Sequence, residues 1–262
     1  MSDLISPDPY QYLVGYYGKV PTHGDFVGRG LPTQFREPWD TWLQQMMHVS
    51  KQQLGAVWMQ HFLTFPLYRF ALSAGVCGEH SWLGVLIPSV DQIGRYYPMT
   101  LCRSIKPASN LLAALTEYRA WYEQAETLVL SCLNDDFVLE NFELQLTAMQ
   151  EQINQPVIDK PEATTHLQRS VHKHPHAAWR VGGAGVDELT AVTPLLLQNL
   201  LDDFCTTYSF WFTQGSEEGA SSLLLAKGLP PFAGAAALLD GQWQQWGWNT
   251  SLSGASCLEE GK

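Results

Sequence analysis

The sequence predicts an α+β fold, a central and mostly antiparallel sheet covered by helices. Three observations carry this. Aromatic and β-branched runs stand at hairpin spacing, two long segments with helical periodicity follow them, and strand-like runs then return without the regular alternation of a parallel sheet. A chain of 262 residues can bury about three quarters of its unfolded surface and needs no staples. The expected organisation is a single compact domain over 1–250, with room for two lobes, 1–153 and 177–250, around a polar excursion at 154–176, and a tail at 251–262.

The first strand is expected in 10-YQYLVGYY-17, which stops at Gly18. A glycine-rich loop follows. From Gln34 the apolar residues Phe35, Trp39, Trp42, Leu43, Met46 and Met47 recur every three or four positions, so a helix should run from about Thr33 to Leu54 with Pro38 in its first turns. The runs 67–76, 81–90 and 97–105, split by Gly and Pro, read as an antiparallel meander. Ser109 is placed to cap a long helix with a stripe from Leu111 to Cys132, and a second helix should cover about 137–152. Beyond the excursion, 177–183, 207–213 and 221–227 read as strands, 192–205 as a helix, and 232–240 as a short Ala-rich helix before an aromatic tail. The later strands are expected to join the first sheet, because they are too few to form one of their own.

Composition narrows the function. With 45% hydrophobic and 16% charged residues the chain is an ordered globular protein, and its net charge of −11 opposes nucleic acid and anionic lipid. The start MSDLISPDPY lacks an export pattern, and no apolar run reaches the roughly eighteen residues of a membrane span. Five scattered cysteines, most of them in apolar segments, fit a reducing cytoplasm. Residues 134–162 hold seven acidic groups against Lys160 alone. A solvated helix face is the simpler account of them, and a docking surface carrying Glu140 and Glu143 is the alternative.

The stretch 15-GYYGKVPTHGDFVGRGLPTQFREPWDTWLQ-44 invites a phosphate-loop reading and fails it. A phosphate cradle needs a glycine five positions before Gly18 and a hydroxyl after Lys19, where Leu13 and Val20 stand. The spacing of Gly24, Gly28 and Gly30 also misses the dinucleotide pattern. Ala71-Leu72-Ser73-Ala74-Gly75 resembles a nucleophile elbow but leads into another strand, not the helix an elbow requires, so Ser73 reads as a strand residue. His172, His174 and His176 alternate in a polar segment without a nearby cysteine, and no dedicated metal site is expected there. The run 87-IPSVDQIGRYYPMTL-101 sets Asp91 and Arg95 around Gly94 in a turn, either as a structural ion pair or as a recognition surface. Each of the two loops, 25–29 and 91–95, carries an acid, an arginine and glycine next to a strand, and they are expected side by side at one end of the sheet.

Three runs together carry a resemblance: 15–44, 82-WLGVLIPSVDQIGRYYPMTL-101, and 208-YSFWFTQGS-216 continued by 228-GLPPFAGAAALLDGQWQQWGW-248. They resemble TagF, also called ImpM, the accessory family of bacterial type VI secretion. The resemblance implies a cytoplasmic, non-enzymatic, post-translational repressor without a cofactor, which binds and sequesters the forkhead-associated scaffold protein Fha within a kinase and phosphatase circuit. It also implies a stand-alone form, since the chain shows no Asp-Gly metal motifs of the phosphatase domain fused to some relatives. Lys19, Asp25, Arg29, Trp39, Asp40, Asp91 and Arg95 are the motif residues offered as partner-binding candidates, beside Glu140 and Glu143. An assembly adaptor and a serine hydrolase using Ser73 are the alternatives.

Overall fold

The computed structural model describes residues 12–107, 109–154, 189–215 and 221–250. In β3 (Tyr68–Leu72), β4 (Ser81–Ile87) and β5 (Met99–Ile105) every residue is buried. Successive side chains of a strand point to opposite faces, so these strands need cover on both sides. They form the expected antiparallel meander. β1 (Val14–Gly18) adds to β5 and carries β2 (Val27–Arg29) on its outer side. β6 (Tyr208–Thr213) joins β3, and β7 (Ser222–Lys227) joins β6. The strands of the second part thus extend the first sheet, giving seven antiparallel strands in the order β2-β1-β5-β4-β3-β6-β7.

α1 (Thr33–Leu54), α2 (Trp58–Thr64) and α7 (Ala237–Asp240) cover one face. The expected stripe of α1 is the buried one: Phe35, Trp39, Trp42, Leu43 and Met46 meet Phe70, Trp82 and Trp211 from the sheet. Trp39 lies 4.7 Å from Phe70 and 5.9 Å from Trp211 between ring centroids, and such pairs add about 0.5–1.5 kcal/mol each beyond the area they bury. α3 (Leu111–Glu117), α4 (Arg119–Ser131), α5 (Leu139–Asn154) and α6 (Leu189–Phe204) cover the other face, around Leu83, Val85, Leu101, Tyr122 and Phe142.

Four differences from the sequence expectation have local causes. The long helix from Ser109 is two helices capped by Asn110, whose Oδ1 accepts the Ala113 N–H at 3.0 Å. It breaks at Tyr118 (φ −93°, ψ 24°), and the bend turns the Tyr118 and Trp121 rings toward the buried Arg103 guanidinium, at 4.9 and 5.8 Å. α2 was not expected; Trp58 and Phe62 seat it in the core, and Trp58 Nε1 donates to Ser50 Oγ at 2.9 Å. The glycine-rich loop contains β2, too short to leave an alternation pattern. The Ala-rich helix is a 3₁₀ turn, Phe232–Gly234, followed by α7, and the Trp248 indole donates to the Gly234 carbonyl at 3.0 Å. The strand expected at 177–183, the excursion beyond Asn154 with its histidines, and the tail at 251–262 lie outside the described residues. Among the described residues no helix is long and apolar enough to cross a membrane.

Candidate functional site

The glycines of the opening loop are explained by backbone crowding. A Cβ on Gly18 would stand 2.3 Å from the Pro98 carbonyl oxygen, and one on Gly30 (φ +80°) 2.2 Å from that of Val14. Only glycine lets the loop cross its neighbours this closely and turn there. Lys19, just past the end of β1, then points inward to the second loop.

That second loop, between β4 and β5, places Asp91 at the centre of a hub. Its Oδ2 accepts from Lys19 Nζ at 2.6 Å and from Arg95 Nε at 2.6 Å, and its Oδ1 accepts from the backbone N–H groups of Ile93 at 3.1 Å and Arg95 at 2.8 Å. Burial opposes the charge on Asp91, yet the hydrogen bonds from Lys19 and Arg95 outweigh it and hold the carboxyl well below the usual carboxylate range. Further bonds stitch the loops together. Ser89 Oγ donates to the Lys19 carbonyl at 2.7 Å, the Gln92 N–H donates to the His23 carbonyl at 3.0 Å, and the Arg95 guanidinium donates to the Gly24 carbonyl. The loops around 25–29 and 91–95 do lie side by side, joined by Arg95 to Gly24 and Asp25, and the buried ion pair beneath them is between Asp91 and Lys19.

A layer of aromatic residues lies beside the hub. The Tyr17 and Tyr97 hydroxyls both donate to Asp40 of α1, the former at 3.1 Å. Burial, then the Asp40 charge, push the Tyr17 phenol up to about 12 and keep Tyr97 protonated well beyond its ordinary range. Phe26 stacks on Tyr17 at 5.3 Å, meets Tyr97 edge-on at 4.7 Å and lies under the Lys19 ammonium at 4.9 Å. At the edge of the sheet Glu143 of α5 accepts from the Tyr16 hydroxyl at 2.6 Å and from Arg29 at 2.9 Å. The acidic helix is therefore anchored to the same strands as the motif loops.

The nine sequence candidates separate by position. Lys19, Asp91 and Trp39 are inside the fold, and Trp39 donates through Nε1 to Thr100 Oγ1 at 3.0 Å. These three candidates are buried and lie beneath the surface that the exposed ones form. Asp40 and Glu143 are half-buried anchors. Asp25, Arg29, Arg95 and Glu140 reach solvent. Phe26 and Ile93, both exposed, were missed, because a motif fixes which residues stand together but not which apolar one faces outward.

The decoys resolve in the same way. Ser73 stands just after β3, its Oγ accepting the Tyr208 N–H at 2.9 Å while its own N–H donates to the Tyr208 carbonyl at 2.9 Å, so it ties β3 to β6. Among the described residues no group of three or more His, Cys, Asp or Glu is placed to hold a metal. A groove of about 540 Å³ runs between α4 and α5, lined by Glu123, Thr127, Leu128, Gln145 and Met149 and by no residue of the motif loops.

The TagF N-terminal domain, described as type VI secretion system-associated, matches residues 15–149, from the glycine-rich stretch into α5. The chain belongs to the TagF family. The crystal structure of PA0076 from Pseudomonas aeruginosa PAO1 is 33% identical, with a TM-score of 0.68 over 87% of this chain and 94% of that one. No curated protein matches the chain.

Proposed function

We propose that this chain is a cytoplasmic, non-enzymatic repressor of type VI secretion that binds the forkhead-associated scaffold protein Fha and withholds it from assembly. The observation that carries the reading is the two-loop hub. The motif residues of a type VI secretion family converge on a braced, water-facing surface and do not line the groove between α4 and α5. Braced by buried charges, such a surface suits recognition, since ordering costs are met before the partner arrives.

A repressor of this kind acts by mass action, so its effect follows its concentration relative to the partner's. Deleting the gene should raise secretion of a type VI substrate, and stepwise overproduction should silence it even with the kinase active. An assembly adaptor would give the opposite deletion phenotype, and that result would overturn repression. Stoichiometric labelling of Ser73 by a serine-reactive phosphonate, with an activity lost in Ser73→Ala, would overturn the non-enzymatic reading.

A further inference from the structure

We infer that Phe26 is the anchor by which this surface engages its partner, and that it enters an apolar pocket with a basic rim. The inference rests on the regulatory reading above and gives it a contact. Phe26 is 46% exposed although it is a large apolar side chain, and unlike a casually exposed ring it is fixed. Tyr17 backs one face at 5.3 Å and nearly parallel, and the edge of Tyr97 closes in at 4.7 Å. Both tyrosines are themselves tied through their hydroxyls to Asp40, and Lys19, held by Asp91, stands 4.9 Å from the ring. An aromatic side chain already immobilised loses little rotamer entropy on binding, and rigid aromatic anchors of this kind dominate interface energetics.

Charge around the ring selects the partner's chemistry. The cations nearby are Lys19 and Arg95, both on Asp91 at 2.6 Å, Arg29, on Glu143 at 2.9 Å, and Arg36, close enough to Tyr17 to act on its phenol. Asp25, next to Phe26, projects fully into water, with only a loose 3.8 Å approach from Arg95. The contact between His23 and Phe137, 6.5 Å between ring centroids, brings the exposed turn bearing Asp135 and Asp136 against the first loop. Against those four cations stand six carboxylates, Asp25, Asp40, Asp91, Glu143, Asp135 and Asp136, so the surroundings of Phe26 are acidic by two charges, in line with the net charge of −11 overall, and complementarity calls for Lys or Arg around the receiving pocket.

The test compares Phe26→Ala, Asp25→Lys and, as a distant control, Glu123→Lys in the α4–α5 groove. Each full chain is checked by thermal melting, titrated by calorimetry against purified Fha from the same secretion system, and assayed in cells for repression of secretion. Phe26→Ala should weaken binding about thirtyfold or more, the scale of an interface hot spot. Asp25→Lys, fully exposed and so without a folding role, should weaken it several-fold and remove most of its salt dependence, and the control should bind normally. If the unaltered chain binds and represses and both variants match it, the anchor is overturned while the regulatory reading stands. If the unaltered chain represses without binding Fha, sequestration of Fha fails. Loss of repression in Phe26→Ala at normal melting temperature would then still support the anchor, and retained repression would overturn it.

Discussion

Trp39 is the motif residue whose role the structure changes most, and Trp39→Phe measures that role. The indole is fully buried between α1 and the sheet, with Phe35, Trp42, Phe70 and Trp211 between 4.7 and 5.9 Å away. Phenylalanine keeps a ring in the stack but loses the second ring and the donor to Thr100 Oγ1, 3.0 Å away. Full truncation of a buried Trp costs about 3–5 kcal/mol, so the partial cavity costs about 1–2. The lost hydrogen bond adds about 1 kcal/mol. The sum, about 2–3 kcal/mol, lowers the melting temperature of a chain of this size by roughly 4–12 °C. Urea unfolding followed by tryptophan fluorescence should show a lower midpoint at unchanged slope. Binding to the partner, measured well below the new melting temperature, should be unaltered. Unchanged stability with weakened binding would refute the reasoning, because it would make Trp39 a contact and not a support.

The remaining predictions concern the charges. Asp91 has a depressed folded pKa, so the unfolded chain binds more protons between that value and the ordinary carboxylate pKa of about 4. Its contribution should be complete above about pH 4 and fade as pH falls further, and Asp91→Asn should flatten the acid limb of a stability-against-pH curve within that window. Lys19→Met should lower the melting temperature more than Arg29→Ala, since it breaks a buried pair and not an exposed one. Arg29→Ala should change stability by less than about 1 kcal/mol in denaturant titration. Tyr17 should ionise near pH 12, about two units above an ordinary tyrosine, as read from the phenolate absorbance lost in Tyr17→Phe.

The layer arrangement was legible because side-chain periodicity survives in the sequence: the three-and-four spacing of α1 marks its buried face, and the largely apolar runs of β3, β4 and β5 mark strands covered on both sides. The break at Tyr118 was not, since Leu111 to Cys132 keeps its helical spacing through the bend, and the Arg103 guanidinium that Tyr118 meets there comes from another element. At the site, the meeting of the two loops and the Asp91–Arg95 pair could be read from their composition, but the second partner of Asp91 could not. Lys19 is 72 residues away along the chain, and nothing in a Gly-Lys pair says that the lysine turns inward. The exposure of Phe26 and the partners of Glu143 were hidden for the same reason. Which ring stays half-exposed, and which acid of α5 reaches Arg29, is decided by how β1, β2 and α5 pack.

Direct binding is the central claim, and calorimetric titration of the purified chain into its purified cognate Fha tests it most directly. The structure also refines the variants that go with it: Glu143 braces Tyr16 and Arg29, so Glu140, which is exposed, is the acid of α5 to reverse. The account predicts a saturable, stoichiometric complex that weakens with added salt, is insensitive to Glu140→Lys, and is lost on joint reversal of Asp25 and Arg95. Absence of heat and of any complex at concentrations well above those that silence secretion in cells would contradict it.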